Sequence, residues 1–222
     1  MNKVFFSAIA LILSSLSLFS QETIKKKKAQ NIYFAPSIGT EIMNIKKYTS
    51  STNGYTVMYK GLPSLRYGLD MNIKKSEKLV IQTGLYYSAK NLTRNETNPE
   101  NSNYYNSRFR NRYLESLIGG TYNFTTGRLD AGLYGNFNFS FLTSASESRL
   151  TETGNSYTYN LKPYYSKMLG SFEPGLNFNY NINYRLSFGL KSGYRLYFNS
   201  LPIKKEYSQN SLLVQSGVFF KF

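Results

Sequence analysis

Glu115 and Asp130 are the two carboxylates in this sequence best placed to act together as a general acid and base. Each stands on the polar face of a stretch with two-residue periodicity, "RYLESLIGGTYNF" and "LDAGLYGNFNFSF". The 222-residue chain has no histidine and no cysteine. That removes Ser-His and Cys-His nucleophilic dyads, histidine and thiolate metal sites, and the commonest general base. A carboxylate pair without such helpers is expected as part of a structural ion-pair network before it is expected as a catalytic centre. The stretch "RNETNPENSN" offers Glu96 and Glu100 as hard oxygen donors, but its spacing matches no calcium loop. Gly119 and Gly120 lack the lysine and hydroxyl residue that complete a phosphate loop. No catalytic residue, cofactor site or metal site is expected, and the chain reads as a non-enzyme.

The charged residues divide into two groups. The formal net charge is +15, from 27 Lys and Arg against 12 Asp and Glu. One group is close to neutral: Glu41, Asp70, Glu115, Asp130 and Glu173 share the polar faces of alternating segments with Arg66, Arg185, Lys191 and Arg195. The second is basic and falls in loops and adjoining strand ends: Lys46, Lys47, Arg108, Arg110, Arg112, Lys204 and Lys205. Tyrosines interleave with it, notably in "NYYNSRFRNRY". Such a rim could contact lipid A phosphates or acidic glycans, or could be an ordinary solvated loop set. No nucleic-acid recognition motif accompanies the positive charge, so nucleic acid is not an expected partner.

Strands must position these groups. Helical spacing is scarce, whereas Tyr (21) and Phe (16) are abundant, as strands prefer. In "SLRYGLDMNI", Leu65, Tyr67, Leu69, Met71 and Ile73 share one face, with Arg66, Gly68, Asp70 and Asn72 opposite. The pattern predicts eight strands near 31–43, 62–73, 79–91, 112–124, 128–142, 164–180, 184–198 and 211–222. Three connections are short (74–78, 125–127 and 181–183). Four are long and polar (about 44–61, 92–111, 143–163 and 199–210). Strict alternation of short and long connections with an even strand number is the plan of an outer-membrane barrel. The expected fold is an all-β, eight-stranded antiparallel up-and-down transmembrane barrel, with short periplasmic turns and four long extracellular loops.

Alternation alone does not say which face is inside, since a soluble lipocalin-like barrel would turn its apolar face inward. Three features favour lipid outside. Apolar-face aromatics cluster beside the short turns (Tyr122, Phe124, Tyr180, Tyr184 and Phe222) like an interfacial girdle. The apolar register continues to the final residue, with Phe220 and Phe222 as a candidate insertion signal. The polar face is nearly charge-balanced, as a narrow lumen requires and a solvated surface does not. Residues 1–20, "MNKVFFSAIALILSSLSLFS", read as a signal peptide, and 21–30 as a basic periplasmic lead-in. Residues 31–222 then form the barrel domain in the cell outer membrane.

"RYLESLIGGTYNF", in which Tyr113, Leu114 and Glu115 open an apolar strand, resembles the outer-membrane β-barrel domain proteins of Bacteroidetes-type bacteria, often called PorT-like. The ending "GVFFKF" is similar to that family's terminal strand. The resemblance implies a barrel whose last aromatic is read by the barrel-assembly machinery, and it implies no single activity, because the family is functionally mixed. Two functional readings follow. One is a structural or binding barrel acting through its basic, Tyr-rich extracellular loops. The other is a small pore or an accessory component of a secretion or transport complex. Long inward groups (Arg66, Tyr86, Glu115, Tyr134, Glu173, Arg185, Arg195 and Tyr197) are expected to fill an eight-stranded interior and prevent continuous passage.

Overall fold

The computed structural model describes residues 32–45, 48–49, 56–97, 104–150, 156–164, 167–198 and 209–221. The strands are β1 (Ile32–Ile45), β2 (Tyr48–Thr49), β3 (Thr56–Gly61), β4 (Pro63–Lys74), β5 (Leu79–Thr97) and β6 (Tyr104–Thr125). They continue with β7 (Leu129–Leu150), β8 (Ser156–Asn160), β9 (Met168–Asn181), β10 (Leu186–Tyr197) and β11 (Gln209–Lys221). Eight of them close a ring: β1 pairs with β4, β4 with β5, β5 with β6, β6 with β7, β7 with β9, β9 with β10, β10 with β11, and β11 with β1. All these pairings are antiparallel, and every ring strand has a partner on both sides. Closure removes the unpaired edges that a sheet cannot leave in lipid.

The turns at the short-connection end are fixed locally. The Asn183 Oδ1 accepts hydrogen bonds from the backbone N–H groups of Arg185 and Leu186, both at 2.8 Å. Gly127 has φ of +133°, which glycine alone adopts readily, and its N–H donates to the Asp130 carboxylate at 2.9 Å. The Ser76 hydroxyl accepts from the Leu79 N–H at 3.0 Å.

The apolar faces point outward. Ile118 is 58% exposed and Leu133 57%, and Leu69, Phe137, Phe178, Leu190 and Val214 are exposed around the ring. Glu115, three residues from Ile118, is 0% exposed. A soluble barrel would have the opposite polarity. Exposed aliphatic and aromatic side chains in a continuous belt, over a closed ring with charged side chains inside, are the arrangement that lipid stabilises and water does not. The chain is an outer-membrane β-barrel.

Three strands run further than the periodicity indicates. β5 continues to Thr97, β6 starts at Tyr104 and β7 reaches Leu150, through residues expected to be loop. Above the membrane the outer face meets polar surroundings while the inner face packs partly on an apolar cluster, so the alternation fades while backbone pairing persists. β3 adds to β5 beyond the start of β4, and β8 adds to β7 beyond the start of β9. The long connections therefore hold an extracellular sheet as well as loops. β9 begins at Met168, after a short 3-10 turn at Lys162–Tyr164, and β10 begins at Leu186. Residues 1–31, with the expected signal peptide and basic lead-in, and the terminal Phe222 lie outside the described residues.

Candidate functional site: a charged lumen beneath a basic outer wall

Two-residue periodicity carries one polar side chain per pair of residues into the lumen. Among the described residues, the eight ring strands bury five acids and four bases: Glu41, Asp70, Glu115 and Glu173 with Arg66, Lys90, Lys191 and Arg195 in the middle of the barrel, and Glu147 nearer its extracellular end. Glu115 is the hub. It meets Arg66 Nε at 3.1 Å, Lys90 Nζ at 2.7 Å and Arg195 Nη1 at 3.2 Å. Hydroxyls of Ser88 and Ser140 donate to the same carboxylate at 2.7 and 3.1 Å. Arg195 also reaches Glu41 at 3.1 Å and Glu173 at 2.6 Å. Lys90 bridges back to Glu41 at 3.1 Å.

A smaller knot lies nearer the short turns. Lys191 approaches Asp70 at 3.4 Å, and the Tyr86 hydroxyl donates a short hydrogen bond to the same carboxylate. The Gln215 amide donates to Asp70 at 3.0 Å, while its carbonyl accepts from Arg66. The Arg66 guanidinium lies over the Tyr86 ring at 3.6 Å, which links the two knots. Tyr134 donates to Glu173 at 2.9 Å from the neighbouring strand β7.

Close packing of these groups depends on glycine at particular positions. A Cβ at Gly193 would strike the Tyr134 hydroxyl, and one at Gly68 would meet the Tyr86 ring. Above the charges, towards the extracellular end, Met43, Leu92, Phe109, Tyr113, Leu142 and Leu169 form an apolar cluster inside the barrel. Below them, a cavity of about 310 Å³ opens at the short-turn end, lined by Tyr33, Asn72, Lys74, Asn123, Asp130 and Lys221 among others. The interior is thus layered: polar vestibule, ion-pair network, apolar cap.

The placements of individual residues differ in part from the sequence expectation. Glu41, Arg66, Asp70, Glu115, Glu173, Lys191 and Arg195 come together in the lumen. Arg185 does not: it is exposed in the turn before β10, with its guanidinium 5.1 Å from the centre of the Tyr184 ring. The strand begins only at Leu186, later than periodicity implied, so Arg185 escapes the inward register. Asp130 is half-buried at the rim and binds turn groups, the Gly127 N–H at 2.9 Å and the Asn181 amide at 3.2 Å. Glu115 and Asp130 make no contact that could serve acid–base chemistry, because they sit at different heights along the barrel.

Lys90 and Glu147 are inward charges that sequence reading passes over, and Lys90 is the one in the central network. It lies where the periodic pattern ends, yet β5 continues past it, and its parity with Gln82, Tyr86 and Ser88 was the available signal. Arg108 and Arg110 are in strand β6 rather than in the long connection expected there, Arg112 is on the same strand as expected, and all three are exposed on its outward face. Lys46, Lys47, Lys204 and Lys205 lie outside the described residues. Phe220 is exposed in the lower part of the belt. Among the described residues, no three His, Cys, Asp or Glu side chains are grouped to hold a metal ion.

No protein-family model matches the sequence, and no curated protein matches it. Solved structures share its general form. The attachment invasion locus protein Ail of Yersinia pestis aligns over 88% of this chain and 100% of its own, at 8% identity and a TM-score of 0.47. A major outer membrane protein from Thermus thermophilus aligns over 86% of this chain and 99% of its own, at 10% identity and a TM-score of 0.48. The outer membrane protein OprG from Pseudomonas aeruginosa gives 90% and 99% coverage, 11% identity and a TM-score of 0.44. The barrel assignment stands on the strand pairing and the outward belt rather than on likenesses this distant.

Proposed function

We propose that the chain is a non-enzymatic barrel of the PorT-like kind, with a structural or binding role exercised at its extracellular face. The observation that carries this reading is the commitment of the lumenal charges. Glu41, Glu115 and Glu173 are each engaged by Arg195, and Glu115 by Arg66 and Lys90 as well, so among the described residues these lumenal charges are held by one another, which favours a structural role for them over a catalytic or conducting one. The apolar layer of Leu92, Phe109 and Leu142 above them supports the same reading. What remains available to partners is the outer wall and the extracellular sheet, where basic residues can meet lipid A phosphates or acidic glycans.

A deletion strain tests the role. The expected phenotype is a weakened envelope, with increased entry of bulky hydrophobic antibiotics and restoration by the intact gene. Normal envelope permeability combined with loss of protein secretion would instead favour the accessory-component reading.

A further inference from the structure

Arg108, Arg110 and Arg112 occupy alternate positions of β6 and are exposed on one face. Strand parity makes that face the outside of the barrel. Glu115, Tyr113 and Phe109 on the same strand point inward, whereas Ile118 and Tyr122 share the arginines' parity and are exposed to lipid. Below them on this face come Leu114, Ser116, Ile118, Gly120 and Tyr122. The arginines therefore continue the lipid-facing column upward.

Their height follows from strand geometry. Arg112 stands ten residues along β6 from Tyr122, the aromatic near the periplasmic edge of the belt. At about 3.4 Å per residue and a tilt of about 40°, this separation is roughly 25 Å along the membrane normal. That equals the approximate height of the apolar band of an outer-membrane barrel. Arg112 thus lies at the upper border of the hydrocarbon, with Arg110 and Arg108 about 5 and 10 Å above it. That is the level at which outer-leaflet headgroup phosphates lie against a barrel wall.

The neighbouring groups suit an anion. Arg108 is flanked across the ladders by Thr93 and Ser148, Arg110 by Asn91 and Ser146, and Arg112 by Ala89 and Ser144. Lys60, also exposed, pairs with Thr93 and extends the uppermost row. The nearby acid Glu147 is turned into the barrel, 3% exposed, and bonds to Arg149 at 2.8 Å. Among the described residues, none forms an ion pair with the three arginines. Arginine suits this place because its planar fork binds two phosphate oxygens at once and is less strongly hydrated than lysine.

We propose that the Arg108–Arg110–Arg112 ladder is a binding site for the phosphate groups of the outer-leaflet glycolipid, lipid A, gripping it from the side of the barrel. This rests on the reading of the chain as a binding barrel and specifies its ligand. Lipid A is favoured over a soluble glycan because the ladder faces sideways at the membrane border rather than upward from a loop tip.

The test uses the full mature chain folded in detergent, with folding checked by heat-modifiable gel mobility. It is titrated separately with bisphosphorylated lipid A, dephosphorylated lipid A and heparin. The wild type should bind the phosphorylated lipid at least about tenfold more tightly than the dephosphorylated form, with affinity falling as salt rises. The R108Q/R110Q/R112Q variant should lose that preference, while a control changed at the short-turn end, K75Q/K78Q, should keep it. If the triple variant does not fold, the single variants R108Q, R110Q and R112Q must each weaken phosphorylated-lipid binding. Unchanged lipid A binding in the folded variants would overturn the site. Binding of heparin but not lipid A would also overturn it, leaving the binding-barrel reading intact. Failure of the wild type to bind either ligand would count against both.

Discussion

Arg195 of β10 and Glu115 of β6, three places apart around the eight-strand ring, meet across the lumen at 3.2 Å. Neither side chain has measurable exposure. Their contact ties distant walls together, and Lys90, Glu41, Arg66 and Glu173 attach to the same pair. Burying charges is costly, so the network is stable only while each partner is present.

Removing the hub should therefore be severe. Glu115→Ala leaves Arg66, Lys90 and Arg195 short of a counter-charge, and loss of one partner of a buried pair costs about 3–5 kcal/mol. Arg185→Gln, at an exposed turn, should change stability by less than about 0.5 kcal/mol. Equilibrium unfolding in urea from lipid vesicles measures both, and similar small effects would mean the lumenal charges are not coupled as described.

A tight fit between Gly193 and Tyr134 predicts a compensating pair. Gly193→Ala places a methyl group against the Tyr134 hydroxyl and should lower the yield of folded barrel. Adding Tyr134→Leu to that variant should restore part of it, though Glu173 then loses a hydrogen-bond donor. Non-additivity in a double-mutant cycle is the readout; simple additivity would place the two residues apart.

Because the chain contains no cysteine, single cysteines can report which way each residue faces. Spin labels at Ile118→Cys and Phe137→Cys should be reached by lipid-soluble oxygen in preference to a water-soluble nickel chelate. A label at Asp130→Cys, beside the vestibule, should show the reverse. Nickel access at positions 118 and 137 in lipid would reject the outward belt.

The extracellular sheet should be rigid. Amides of Phe109 and Arg110 lie in a strand paired with both β5 and β7, so their hydrogen exchange should be slow. Exchange as fast as in an open loop would restore the shorter strands that the sequence pattern implied.

Much of this was legible because strand parity is a strong signal where one face meets lipid. Leu69, Phe137 and Leu190 mark the apolar register of their strands, and Glu115, Arg195 and Glu173 stand in the opposite register of theirs. Legibility fails where the environment stops differing between faces. Leu92 and Phe109 point inward yet are apolar, so the cap they form has no alternation to announce it. β7 adds a further difficulty: its pairing with β6 slips where Arg112 faces Ser144 while Tyr113 faces Leu142. This bulge leaves Thr143 extra and shifts the inward residues from even to odd numbers, which brings Ala145 and Glu147 inside. Arg185 is misplaced and Lys90 passed over for a simpler reason, since strand ends drift by a residue or more and parity has meaning only within the strand.

Single-channel recording in planar bilayers, with wild-type protein verified as folded, tests the central claim that the lumen is closed by its own side chains. The account predicts a quiet bilayer across moderate voltages, because the Glu115 network and the Leu92–Phe109–Leu142 layer both stand across the passage. Stable, reproducible, ion-selective openings would contradict it and make the chain a small pore.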